Sequence, residues 1–194
     1  AADNGEGSDK LVGTKPDPWV SAAPLIVAAV CSDGVALVAL HSTNATDTDD
    51  VNWLNNHRES LRIHQIDGAG TTLICAGWRT DAEWLASKCR SLVANHVSKF
   101  GASSTGSSSS SSYLPQDASL WMASCASSNS NARPLSVVGL LATSSKQLNL
   151  VDATGSYAVR AHAVGRGARR VNAQLRQMKF SDKSSKEGVQ CILN

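Results

Sequence analysis

The sequence predicts an α/β (α+β) fold in which helices lie outside stacked antiparallel sheets. Three observations predict it. Short apolar runs come first in two hairpin-like pairs, a long amphipathic stretch follows, and a second block of strand-like runs precedes two more helical segments.

Residues 1–23 read as an extended arm, because Gly, Pro and Asp recur without periodicity and Lys15-Pro16-Asp17-Pro18 disfavours helix. Trp19 is the arm's one large apolar group and needs a groove to lie in. The domain proper begins at residue 24. Leu25 to Cys31 and Val35 to Leu40 flank the turn Ser32-Asp33-Gly34, and Leu61 to Ile66 and Thr71 to Ala76 flank Asp67-Gly68-Ala69-Gly70. Both pairs predict buried hairpins. Between them, residues 41–60 are polar, with Asp47, Asp49 and Asp50 clustered.

Thr80-Asp81-Ala82-Glu83 has the form of a capping box, and Ala82, Leu85, Ala86, Cys89, Leu92, Val93, His96 and Val97 then recur at helical spacing. A helix is expected from Arg79 to Lys99, with Leu85, Cys89 and Leu92 toward the sheet and Lys88, Arg90 and Lys99 outward. His96 lies on the apolar stripe without a partner His or Cys at i+4, and reads as a core or helix-edge residue rather than a ligand. Residues 102–113 form a serine-rich stretch with too little apolar surface to order itself, so a flexible loop is expected.

Leu114 to Ala126 reads as a second helix, and Leu135 to Ala142, Gln147 to Val151 and Tyr157 to Val164 as a three-stranded meander. Gly165 to Lys179 should be helical, with Ala168, Val171 and Leu175 on one face. Ser184 to Ile192 opens under a Ser-x-x-Glu start.

Composition narrows the classes of function. The 194 residues are 42% hydrophobic and 18% charged with a formal charge of +2, which suits one globular domain and implies no nucleic-acid partner. No run approaches the length of a membrane span. The five cysteines, Cys31, Cys75, Cys89, Cys125 and Cys191, are odd in number and never in a C-x-x-C pair, so they read as buried thiols in a reducing compartment rather than as a disulfide framework or a metal site. No cofactor-binding or phosphate-binding motif is present.

Six short segments, in order, carry a resemblance. Cys31-Ser32-Asp33-Gly34-Val35-Ala36-Leu37 is similar to "KDGVVLA", Arg62-Ile63-His64-Gln65-Ile66-Asp67 to "K-I-x-x-I-D", and Ala76-Gly77-Trp78-Arg79-Thr80-Asp81-Ala82 to "AGLxADA". Arg133-Pro134-Leu135-Ser136-Val137 is similar to "RPFGV", Asp152-Ala153-Thr154-Gly155-Ser156-Tyr157 to "DPSGxY", and Ala163-Val164-Gly165-Arg166-Gly167-Ala168 to "AIGxGS". Together these segments resemble the 20S proteasome subunit family, of Ntn-hydrolase fold, and its α type most closely.

The resemblance implies a four-layer αββα sandwich of two antiparallel sheets flanked by helices. It further implies a non-catalytic structural subunit packing beside other proteasome-like subunits in a hetero-oligomeric ring, cytoplasmic and nuclear, where other subunits degrade protein. Peptide-cutting members use an N-terminal Thr with Asp and Lys nearby; those positions fall on Pro24, Leu40 and Arg62, so no catalysis is expected. In α subunits the lysine matching Arg62 lies in a pocket between neighbouring subunits and receives the C-terminal carboxylate of regulatory particles. Arg62, Gly34 and Gly77 are therefore the candidate pocket residues for such tails, with no metal and no cofactor.

The arm departs from the α-type "FSPEGRLxQVEYA" pattern, and two closing strands expected beyond Asn194 make the 24–194 domain read as truncated at its C-terminus. The missing α-type helix, the unusual arm and the serine-rich loop favour an alternative: a degenerate domain of this fold recruited as a scaffold subunit of another large complex, including an organellar one.

Overall fold

A computed structural model describes residues 17–40, 62–100, 110–127 and 133–193. The strands are β1 (Ile26–Val30), β2 (Val35–Ala39), β3 (Ile63–Gln65), β4 (Thr72–Gly77), β5 (Val137–Ala142), β6 (Leu148–Asp152), β7 (Gly155–Ala158) and β8 (Ala161–Val164). The helices are α1 (Pro18–Ala22), α2 (Arg79–Phe100), α3 (Ser110–Ala126), α4 (Ala168–Leu175) and α5 (Ser185–Leu193).

The strands form two antiparallel sheets, one ordered β2-β1-β8 and the other β3-β4-β5-β6-β7. Side-chain alternation sends each strand's residues to two different cores. On β4, Leu73 and Cys75 face α2 and α3, while Ile74 and Ala76 face the other sheet. On β1, Ile26 and Ala28 join Ile74, Leu140 and Leu148 between the sheets, whereas Val27 and Ala29 meet Leu175 and Phe180 under α4 and α5. Three apolar cores thus separate four layers: α2 and α3, the five-stranded sheet, the three-stranded sheet, and α4 and α5.

Both expected hairpins form, with Ile26 opposite Ala39 and Ile63 opposite Ile74. The meander does not form as read. Val159 donates its N–H to Leu148 in the large sheet, while the next residue, Arg160, accepts from Val30 in the small one. The run Tyr157 to Val164 therefore breaks into β7 and β8, which lie in different sheets; an unbroken period-two pattern cannot reveal the crossing.

Three further readings change. The last residues of the arm form the short helix α1, capped by Asp17, whose carboxylate accepts from the Trp19 N–H at 2.8 Å, and Val20 and Ala23 are buried against the inter-sheet core. Residues 102–109 of the serine-rich stretch lie outside the described residues, as do residues 1–16 and 41–61; Ser110 to Tyr113 belong to α3, a turn that the periodicity missed because serines carry no apolar pattern. Thr80 is not a cap. Ala82 already donates to the Trp78 carbonyl, Glu83 pairs with Arg79 at 3.0 Å, and Thr80 is exposed inside the helix.

The corresponding start of α5 does close as a box. Glu187 accepts from the Ser184 N–H at 2.8 Å and the Ser184 hydroxyl accepts from Glu187 N–H at 3.3 Å. The Ser184 N–H, and the Ser184 hydroxyl donating at 3.0 Å, hold the Glu187 carboxyl below its ordinary pKa. Asp33, from the first hairpin turn, adds an acceptor for the Ser185 N–H at 2.6 Å. Gly188 completes this joint, because a Cβ there would lie 2.6 Å from Cys31 Sγ.

The small sheet's β8 edge is covered by one side chain. Asn172 of α4 accepts from Ala163 N–H at 2.8 Å and donates to its carbonyl at 2.9 Å, replacing a neighbouring strand.

Leu85 is fully buried, so Leu85→Ala should cost about 2–5 kcal/mol. Thr80→Ala should stay within about 0.5 kcal/mol, because it removes no cap. Urea melts check both, and an equal loss for the two would place α2 in the wrong register. The cysteines give a second test. Burial pushes the Cys89 thiol up to about 12 and Cys75 higher still, whereas Cys191 is only half-buried. Native maleimide labelling should reach Cys191 first, with Cys31, Cys75, Cys89 and Cys125 reacting only on unfolding; faster labelling of Cys89 would refute the packing of α2.

Candidate functional site

Pro24, Leu40, Arg62 and Gly77 lie at one end of the sandwich. Pro24 links α1 to β1, and Leu40 donates its N–H to the Leu25 carbonyl as β2 leaves the sheet. Arg62 precedes β3, and its carbonyl accepts from Cys75 N–H at 2.9 Å.

The Arg62 side chain turns along β4. Its Nη1 donates to the carbonyls of Cys75 and Gly77, at 3.4 Å each. Burial pushes the guanidinium pKa down from its ordinary value, yet an arginine side chain stays charged in a protein. Arg62 is thus a fixed cation against the carbonyl end of a strand, with the remaining donors of its five-donor fork available to orient a carboxylate.

Gly77 ends β4 with φ +124°, and a Cβ there would sit 2.1 Å from the Ser136 carbonyl oxygen. Only glycine fits. This close approach lets Trp78 N–H bond the same carbonyl at 3.0 Å and starts α2 two residues later.

Beside it stands a contact that sequence reasoning did not pair. Asp81, 2% exposed, accepts from Arg133 at 2.9 and 2.5 Å and from Ser136 N–H at 2.8 Å. Arg133 also lies over the Trp78 ring, 5.0 Å from its centroid, and Trp78 meets Trp19 edge-on at 5.2 Å. One carboxylate therefore locks the α2 start, the β5 entry and the aromatic pair. The signal was present: Asp81 adjoins Ala82 on the apolar face of α2, where a charge needs a buried partner.

Gly34 is elsewhere. Its turn meets the opposite end of the large sheet, where Lys146, in the β5–β6 turn, donates to the Ser32 carbonyl at 2.5 Å. Gly77 pairs with Val137 at the start of β5, so the two glycines are separated by the strand's length, roughly 20 Å. A Cβ at Gly34 would meet nothing within 4 Å. The structure brings Arg62 to Gly77 and leaves Gly34 outside that group.

Among the described residues, no three His, Cys, Asp or Glu side chains gather as a metal site. No helix among them is long and apolar enough to cross a membrane. Neither a protein-family model nor a curated protein matches the chain.

Asp81→Ala should cost about 1–3 kcal/mol by stranding the Ser136 N–H, against about 0.5 kcal/mol or less for Glu83→Ala in the exposed Arg79 pair. Thermal melts of the two variants check the ranking. Equal losses would mean that Asp81 does not anchor this end.

Proposed function

We propose that the chain is a non-catalytic structural subunit of a 20S proteasome-like ring, in a cytoplasmic and nuclear particle whose other subunits cut peptides. The observation that carries this reading is the stacking of two antiparallel sheets between two helical layers, the arrangement that the resemblance implies.

The site supports a silent role chemically. A threonine-type peptidase needs a nucleophile, a carboxylate and a group that can share a proton at the sandwich end. Pro24 offers no nucleophilic side chain, Leu40 is an exposed hydrocarbon, and Arg62 holds its protons while bonding strand carbonyls.

A second reading is a scaffold subunit of another assembly. It is favoured by the sequence of residues 1–23, which departs from the α-type pattern, and by the serine-rich stretch at 102–113.

Native mass spectrometry of the complex isolated through this chain separates the two. Ring partners of the same fold support the first reading, and unrelated partners the second. In the same preparation a threonine-directed covalent probe should leave this chain unlabelled; an adduct between Ser21 and Leu40 would overturn the silent role.

A further inference from the structure

Between Asp152 and Asp182 the sequence holds six cations and no carboxylate: Arg160, Arg166, Arg169, Arg170, Arg176 and Lys179. The chain's net charge is +2, so the remainder nets −4 and the charge is segregated. All six side chains are exposed. Among the described residues the ion pairs are Arg79–Glu83 and Arg133–Asp81, so none of the six has a carboxylate partner there.

The fold places them together. Ala168, Val171 and Leu175 turn inward on α4, which leaves Arg169 and Arg170 exposed on it and Arg176 exposed just past its end, while Arg166, before the helix, donates to the Ala22 carbonyl at 3.3 Å. Two grooves adjoin the helix, one along its first turns and one at its C-terminal end. One, of about 840 Å³, is lined by Val138, Leu150, Val164, Arg169 and Arg170, with Asp152, held by its own turn through bonds from Thr154 and Gly155, as the carboxylate in its lining. The other, of about 700 Å³, runs past Val159 and Met178 to Arg160, Arg176 and Lys179. Arg169 and Arg170 also stand in the first turn of α4, which has no acidic residue and no side-chain cap, so the helix dipole opposes them.

We infer that the α4 face is a docking surface for an acidic, extended polypeptide segment of a partner protein, whose carboxylates pair with the arginines while its apolar side chains enter the adjoining grooves. Guanidinium forks match carboxylates two-pronged, and the external charge offsets the repulsion among the six cations. The apolar linings favour polypeptide over nucleic acid, since no exposed aromatic ring lines either groove for a base to stack on. The inference does not rest on ring membership.

The test uses fluorescence anisotropy on the purified full chain. The probes are a labelled peptide of alternating Glu and Val, the same peptide with Gln for Glu, and a labelled single-stranded oligonucleotide of equal charge. The Glu peptide should bind, weaken as salt rises, and exceed both other probes. The double substitution Arg169→Glu with Arg170→Glu should weaken it by about tenfold or more, whereas Lys99→Glu, on α2, should change it less than about twofold. If the double reversal lowers the melting temperature, Arg169→Gln with Arg170→Gln serves instead and should still weaken binding. Absence of binding, equal binding of the Gln peptide, tighter binding of the oligonucleotide, or indifference to the arginine substitutions would each overturn the proposal.

Discussion

The structure depends on strands that are apolar on both faces. Residues Leu73 to Gly77 of β4 are all buried, and β1 is buried from Ile26 to Ala29. A strand of this kind cannot lie at a surface, and side-chain alternation then requires a separate apolar layer on each side of it. Each sheet must be covered twice. The cheapest shared cover is the other sheet, and the remaining two faces fall to helices, which gives the three cores and fixes where the chain ends of every strand emerge. At about 25 cal/mol per Å² of apolar surface buried, cores of this kind are the main favourable term in the fold.

Much of this was legible, because the signals are local. Leu25 to Cys31 and Val35 to Leu40 are apolar runs flanking a Ser-Asp-Gly turn, and a hairpin follows from runs and turn together. Leu85 and Cys89 recur at helical spacing and are buried as their spacing predicts, while Leu92 packs on the same core only in part. Lys88, expected to point to solvent, instead sits 5.8 Å from the Trp121 ring centroid, since its stem crosses an aromatic surface supplied by another helix. The failures share a cause. Thr80-x-x-Glu83 and Ser184-x-x-Glu187 are equivalent as strings, yet only the second closes, because Arg79 claims Glu83 and Arg133 claims Asp81. Likewise nothing within Tyr157 to Val164 marks the step between sheets; it is set by which neighbours, Leu148 and Val30, are within bonding distance of Val159 and Arg160.

The candidate site follows the same division. That Gly77 is indispensable depends on its positive φ and on the Ser136 carbonyl, 59 residues further along the chain, so the residue type could be noticed but its reason could not. Arg62 could be singled out as the wrong cation for proton transfer from chemistry alone. Its bonds to Cys75 and Gly77 add that the charge is spent on ordering the end of β4, where outward carbonyls would otherwise lack donors. Gly34, singled out by motif, lies within this chain at the joint between the first hairpin and α5, where Asp33 and Lys146 do the bonding.

The two sides of α4 obey different constraints. Its inward side carries Val171 and Leu175 for the outer core and Asn172 for the β8 edge, so substitutions there act on stability. Its outward side adds no residue to that core, and Arg169 and Arg170, adjacent in the chain, carry like charge with no carboxylate on the helix to offset it. A surface under stability constraint alone would intersperse carboxylates at i+4, as Arg79 and Glu83 do at the start of α2. That this face has none, in a chain whose remaining residues are net acidic, is a local rule broken where packing does not require it. Breaches of that kind are expected where a surface answers to something outside the chain, and the apolar lining beside the arginines limits what that can be to a ligand with both charge and hydrocarbon.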